Sequence, residues 1–274
     1  MKLYDFDGMF DSKLSEYIRK NPDKYTESEW EDLIPKFYEA FGNTFIKSIG
    51  DTPNGFYSKF TDKELISALS AHIKKNIPVS KFLLNALERT GSAELLTPLL
   101  DGSDAEKEFA VNLIGADGRV LKKYLNMLVS PDCSEELKIT LLELIKEKAD
   151  IVADDALKFY ECGEEVDLML EILACSVIRS DKIFDILVKE FRSNPERVSV
   201  NANLLARYGD ERALGCLLEK IDEEGVSYLE YKELLLAIES LGGTYENERD
   251  FSDDPYYELL KSHNYSAQDA SDKK

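Results

Sequence analysis

The 274-residue sequence predicts an all-α protein: an α-solenoid of stacked short helical hairpins with an aromatic-rich helical cap at its N-terminus. Three observations support this fold class. Apolar residues recur at spacings of three and four along most of the chain, which is the period of an amphipathic helix. The helix–turn–helix pattern itself recurs about every 30 residues over 79–243. Runs of alternating β-branched residues, which would indicate strands, are nearly absent.

The repeat is recognised by the residues that occupy its turns. Each of these anchors has a row of apolar residues before it, and the first five have another after it. Spacings between anchors run from 27 to 33 residues. The anchors are Gly91, Gly118, Asp150, Ser180, Gly209 and Gly242. A hairpin of this length cannot bury both faces of its helices alone, so stacked copies are expected to share one core. In the fifth copy, at least one of Leu217 and Leu218 should be fully buried.

Two segments carry a family resemblance. Residues 206–225, ARYGDERALGCLLEKIDEEG, resemble a HEAT repeat of the short type found in phycobilisome-lyase-like proteins, and residues 88–118 are similar. They share a glycine, an acidic or small residue, an apolar pair and paired leucines. The resemblance covers residues 79–243, about 60% of the chain, and implies a HEAT-like α-solenoid. Asp150 and Ser180 depart from the pattern by replacing the glycine. HEAT arrays serve many roles, so no single function is implied.

Residues 1–78 are predicted to form the N-terminal cap or subdomain, because residues 1–60 hold 13 of the 28 aromatic residues. Thr26 with Glu29, and Thr61 with Glu64, match the capping-box pattern, so each threonine is expected to begin a helix. Pro35 falls inside the first of these helices. It is expected to kink the helix or split it in two, since proline lacks the amide donor.

Residues 244–274 are predicted to be an acidic C-terminal capping segment. Asp253, Asp254 and Pro255 precede an apolar row, which indicates one short helix. The final nine residues, SAQDASDKK, are polar and small and are expected to be disordered.

Charge and targeting signals limit the functional classes. The chain carries 34 basic and 54 acidic residues, a net charge of −20, without a segregated basic patch. This argues against direct binding to nucleic acid or to an anionic membrane. Acidic residues near the N-terminus argue against a secretory signal, and no apolar stretch is long enough to span a bilayer. A cytoplasmic location is therefore expected.

Cysteines and histidines offer little for a metal or nucleophilic site. None of the cysteines forms a C-x-x-C pair, and thiols in a reducing compartment are expected. The cysteines are Cys133, Cys162, Cys175 and Cys216. His72 lies on the apolar side of its predicted helix, where a buried histidine with hydrogen-bond partners is expected. His263 is near a frayed end. The sequence therefore predicts no metal, no cofactor and no catalytic constellation.

The segment Asp5-Phe6-Asp7-Gly8 resembles the first motif of haloacid-dehalogenase-type phosphatases. The resemblance implies Asp5 as nucleophile and Asp7 as general acid/base beside a magnesium ion. Met9 replaces the usual threonine, however, and the chain lacks the strand–helix alternation of a parallel sheet. Docking of this segment onto the first helices is the structural interpretation, and a phosphatase is kept as an alternative function.

The distribution of acidic residues leads to the favoured function. Residues 210–258 hold 15 acidic and 4 basic residues. Four acids, here called the acidic edge, follow the Leu217–Leu218 pair: Glu219, Asp222, Glu223 and Glu224. They are expected either to bind a Lys/Arg-rich segment or to form a solvated edge. The sequence therefore predicts a non-enzymatic protein–protein interaction scaffold with a basic protein partner. An acidic DNA mimic, or another HEAT protein of a nucleic-acid pathway, is the alternative.

Overall fold

The computed structural model describes residues 2–22, 24–90, 93–247 and 249–261. No strand occurs among these residues; Ile46 and Asp51 form an isolated antiparallel bridge, and the rest is helix and turn. The predicted all-α class is confirmed. Gly91, His263 and the final nine residues lie outside the described residues, so the expectations for them are not addressed.

The chain divides into two units, Met1–Val120 and Leu121–Lys274. The boundary expected after residue 78 lies inside the first unit. The α-helices described in the first unit are α1 (Phe6–Lys20), α2 (Glu27–Gly42), α3 (Pro53–Tyr57), α4 (Asp62–Lys74), α5 (Lys81–Thr90), α6 (Ala93–Leu96) and α7 (Asp104–Ile114). A 3₁₀ turn over Thr97–Asp101 connects α6 to α7.

Both predicted capping boxes are present in the first unit. The hydroxyl of Thr26 accepts from the amide of Glu29, whose carboxylate accepts from the amide of Thr26; Thr61 and Glu64 repeat the arrangement at the start of α4. α2 continues through Pro35 as one helix, so the proline does not split it. One missing backbone hydrogen bond is tolerated where the rest of the helix packs well.

Aromatic rings form the core of the first unit. Phe6 is fully buried, and its ring lies 5.7 Å from Tyr57, 5.9 Å from Phe56 and 6.0 Å from Phe82, measured between centroids. These edge-to-face contacts tie the chain's first helix to α3 and α5. Edge-to-face aromatic pairs stabilise by about 0.5–1.5 kcal/mol beyond the area that they bury.

The second unit consists of paired helices. In chain order these are α8 (Leu121–Leu128), α9 (Glu135–Lys146), α10 (Ala153–Cys162), α11 (Val166–Ala174), α12 (Asp181–Ser193), α13 (Val198–Tyr208), α14 (Leu214–Ile221) and α15 (Tyr228–Ser240). Residues 255–261 are also helical, which confirms a helix after Asp254. Phe251 is buried, with its ring 5.0 Å from Tyr231 and 5.3 Å from Tyr228.

Every even-numbered helix of the second unit packs on the helix that follows it, which gives four hairpins: α8–α9, α10–α11, α12–α13 and α14–α15. The second helices of these hairpins also pack on one another in order, α9 on α11, α11 on α13 and α13 on α15. In α14, Leu217 is fully buried and Leu218 is half-buried. The expectation that at least one of the two lies in the core is confirmed.

Candidate functional site

Side-chain contacts between successive hairpins of the second unit recur at nearly constant sequence separation. The bonded residues are mostly 25 to 31 positions apart. The pairs are Lys138–Glu165, Lys146–Glu171, Tyr160–Glu190, Arg192–Glu219, Arg197–Asp167, Asn203–Glu233 and Arg212–Asp181. Equivalent positions of stacked copies meet one period apart. The separations of the bonded residues are thus close to the period of about 30 residues that the sequence predicts.

The contact between Tyr160 and Glu190 is partly shielded from water. The hydroxyl of Tyr160 donates to Glu190 Oε1 at 2.5 Å. Burial, followed by the effect of the Glu190 carboxylate, raises the pKa of Tyr160 to about 12. The phenol therefore stays protonated and remains a donor at neutral pH.

The turn between α11 and α12, residues 175–180, is held by one carboxylate oxygen. Oδ1 of Asp150 accepts from the hydroxyl of Ser176 at 2.6 Å, the amide of Val177 at 3.0 Å and the amide of Ile178 at 3.2 Å. Asp150 is one of the two anchors where the sequence departs from glycine. Its carboxylate gives that departure a structural role, because it fixes the turn that connects the α10–α11 hairpin to the α12–α13 hairpin.

Tyr208, at the end of α13, holds the same turn from the other side. Its buried hydroxyl accepts from the amide of Ser180 at 2.7 Å and lies 3.2 Å from the Ser180 carbonyl, to which it can donate. Arg179 lies over the Tyr208 ring, 4.9 Å from the centroid, and donates to the carbonyl of Gly209 at 3.3 Å. Gly209 has φ +70°, a left-handed conformation that favours glycine.

This well-bonded turn presents two aliphatic side chains to solvent. Val177 is 76% exposed and Ile178 is 58% exposed. We call them the aliphatic pair. The sequence analysis did not single them out. The sequence did contain a signal for them, namely two adjacent β-branched residues in a turn between helices. Such residues are unusual there, because turns normally carry small or polar residues.

The acidic edge lies where α14 ends. Glu219 is in the last turns of the helix, and Asp222 follows its final residue. Three of the four carboxylates have partners within the chain: Glu219 with Arg192 at 3.3 Å, Asp222 with the hydroxyl of Tyr245 at 2.7 Å, and Glu223 with Lys220 at 2.6 Å. Glu224 is exposed. The structure thus places the four residues at one helix end, with part of their charge already neutralised.

Arg249 compensates for acids at this helix end. Its guanidinium donates to the carbonyl of Ile221 at 3.1 Å and to the carbonyl of Glu223 at 2.7 Å. The carbonyls at a helix C-terminus carry partial negative charge, which disfavours nearby carboxylates and favours a cation. The segment after α15 therefore adds a second cation to the end of α14, beside Lys220 of the helix itself.

The residues of the phosphatase-like motif have structural contacts. Asp5 is the N-cap of α1 and accepts from the amide of Gly8 at 2.8 Å. Asp7 accepts from the hydroxyl of Tyr38 at 2.5 Å. Both carboxylates thus lie at the start of a helix. Within the part of the chain that the structure describes, no group of three or more His, Cys, Asp or Glu side chains could hold a metal ion.

His72 is fully buried and has partners on both ring nitrogens. Nδ1 lies 2.9 Å from the carbonyl of Pro78, and Nε2 lies 3.3 Å from the hydroxyl of Tyr57. Since a carbonyl only accepts, Nδ1 donates to Pro78. Burial raises the pKa of Tyr57 to about 12. The expected buried, hydrogen-bonded histidine is confirmed.

No disulfide bond joins the four cysteines, and burial raises the pKa of the Cys216 thiol. None of the helices in the described ranges combines the length and apolar character that crossing a bilayer requires.

Comparison with known proteins found no matching family model, no significant match among curated proteins and none among solved structures.

Proposed function

We propose that the chain is a non-enzymatic protein–protein interaction scaffold, in which residues 121–243 form a short HEAT-like α-solenoid. The observation that carries the proposal is the agreement between the sequence period of about 30 residues and the separation of 25 to 31 residues between bonded side chains. Such arrays offer extended surfaces whose shape exists before a partner arrives. A preformed surface lowers the ordering cost of binding.

The proposed partner carries a basic segment. The second unit contains 34 acidic and 19 basic residues, so most of the negative charge of the chain lies in it. The electrostatic field of a strongly charged surface accelerates association with a protein of opposite charge, and this acceleration decreases as the ionic strength rises. The acidic edge belongs to this surface, and all four of its residues are exposed.

The aliphatic pair offers a partner an apolar contact in addition to the electrostatic attraction of the acidic surface. Val177 and Ile178 sit on a turn fixed by Asp150 and Tyr208, so little conformational freedom remains to be lost when a partner covers them. Fully burying such a side chain contributes about 1.5–3 kcal/mol. We therefore propose that the partner segment combines basic and aliphatic residues.

Fluorescence anisotropy with defined peptides tests the proposal. Three labelled peptides of equal length alternate lysine with leucine, lysine with serine, or glutamate with leucine. We expect the lysine–leucine peptide to bind most tightly and the glutamate–leucine peptide not to bind. Replacing both Val177 and Ile178 with serine should weaken binding of the first peptide by about tenfold or more.

Two further variants complete this experiment. Val200→Ser changes another exposed valine of the second unit, 48% exposed, and should leave binding unchanged. Neutralising all four acids of the acidic edge with Gln or Asn should lower the association rate at low salt. Absence of binding by all three peptides, or equal binding by all variants, would contradict the proposed scaffold.

A further inference from the structure

A polar cleft of about 620 Å³ lies between α2 and α5 in the first unit. This volume is typical of small-molecule sites, which span roughly 300–1,000 Å³. Lys81, Asn85 and Arg89 are four residues apart on α5 and therefore line one wall. Lys36 and Glu39 of α2 line the facing wall. We call this space the basic cleft.

The remaining lining of the basic cleft is well fixed. The rings of Tyr38 and Phe82 stack with centroids 4.8 Å apart and planes at 3°. The hydroxyl of Tyr38 is bonded to Asp7, which holds the stack in place. Two asparagines add polar groups: Nδ2 of Asn54 donates to Oδ1 of Asn43 at 3.1 Å. The cleft thus has an apolar wall, with amide groups and cations around it.

The cations of the basic cleft lack ion-pair partners among the described residues. No ion pair within the described ranges therefore neutralises Lys36, Lys81 or Arg89, although the chain has a net charge of −20. Other lysines of the first unit do have such partners: Lys20 with Glu16, Lys59 with Asp51, and Lys107 with Asp104. Nε of Arg89 donates to the carbonyl of Asn85 at 3.1 Å, which directs the guanidinium along α5.

We propose that the basic cleft binds a small organic phosphate, of the size and polarity of a sugar phosphate. Three cations against the single carboxylate of Glu39 give a local excess of positive charge that suits a phosphate monoester dianion. The amide groups of Asn43, Asn54 and Asn85 can donate to and accept from hydroxyl groups. This site lies in the first unit and does not depend on the scaffold proposed for the second.

Isothermal titration calorimetry on the full chain tests this assignment, with ribose 5-phosphate, ribose, inorganic phosphate and a phosphoserine peptide as probes. The test variant is Lys81→Gln with Arg89→Gln. The matched control is Lys63→Gln with Arg19→Gln, which removes the same charge from exposed positions outside the cleft. Glutamine is a good helix former, so both variants should fold.

We expect ribose 5-phosphate to bind at one site and ribose not to bind. The test variant should weaken binding by about tenfold or more, because it removes two charge-assisted contacts, and the control by no more than about twofold. Glu39→Gln should tighten binding by removing the opposing carboxylate. Equal losses in the two double variants, or no binding of ribose 5-phosphate by the wild type, would overturn the proposal. Tighter binding of inorganic phosphate or of the phosphoserine peptide would overturn the assignment to a small organic phosphate.

Discussion

Replacing Asp150 with alanine should loosen the turn that carries the aliphatic pair. A single oxygen, Oδ1, accepts all three hydrogen bonds from Ser176, Val177 and Ile178. A hydrogen bond to a charged acceptor contributes about 1.5–3 kcal/mol when it is shielded. Here the two amides belong to exposed residues and can bond to water after the change. We therefore expect a total loss of about 2–3 kcal/mol, well below the sum of three bonds.

Asp150→Asn tests whether the turn needs the negative charge of the carboxylate or only an acceptor oxygen at the position of Oδ1. Its amide oxygen can occupy the position of Oδ1, so the bonds should be kept but weakened, with a loss of about 1 kcal/mol. Asp185→Ala is the control, because this exposed carboxylate lies on α12 away from the turn; a change within about 0.5 kcal/mol is expected for such a surface substitution.

Two measurements on the full chain test whether the carboxylate of Asp150 holds the turn. Urea unfolding followed by circular dichroism gives the free energies, and hydrogen exchange read by mass spectrometry gives the protection of residues 176–180. Exchange there should accelerate in Asp150→Ala while α14, which lies beyond the neighbouring hairpin, changes little. Unchanged protection in Asp150→Ala would refute the claim that this carboxylate holds the turn.

Three further predictions follow from the structure. Leu217→Ala should cost about 2–5 kcal/mol in urea unfolding and Leu218→Ala clearly less, because only Leu217 is fully buried; equal losses would contradict the burial described. Arg249→Gln should destabilise the chain by about 1 kcal/mol, since it removes the cation that donates to the last carbonyls of α14, and a thermal midpoint equal to that of the wild type would contradict this role. Tyr57 has its pKa raised from 10 to about 12 in the folded state, so its contribution to stability is complete below pH 10 and is lost as pH rises towards 12. Ultraviolet titration of the wild type against Tyr57→Phe should therefore show a tyrosinate difference signal only well above pH 10; a signal centred at pH 10 would show an exposed phenol.

The acidic edge shows how tertiary contacts change the meaning of a local pattern. In the sequence, four acids at a helix C-terminus indicate either an unfavourable cluster or a binding surface. In the fold, Arg192 comes from the preceding hairpin, while Tyr245 and Arg249 come from the segment after α15. Because these partners are more than 20 residues away, no local reading of the sequence could have supplied them. The role of these acids in binding a partner stays a prediction.

The sequence by itself determined the helical class, the two predicted capping boxes and the burial of at least one of Leu217 and Leu218, because these follow from interactions between residues three or four positions apart. The sequence likewise predicted a period of about 30 residues, since stacked copies would present apolar residues at matching positions to their neighbours. Only the tertiary structure decided that Asp150 fixes a turn, that Val177 and Ile178 remain exposed on it, and that Lys36, Lys81 and Arg89 line one cleft. These facts depend on residues far apart in the chain, and their positions are set by how the helices pack rather than by the period of any one helix.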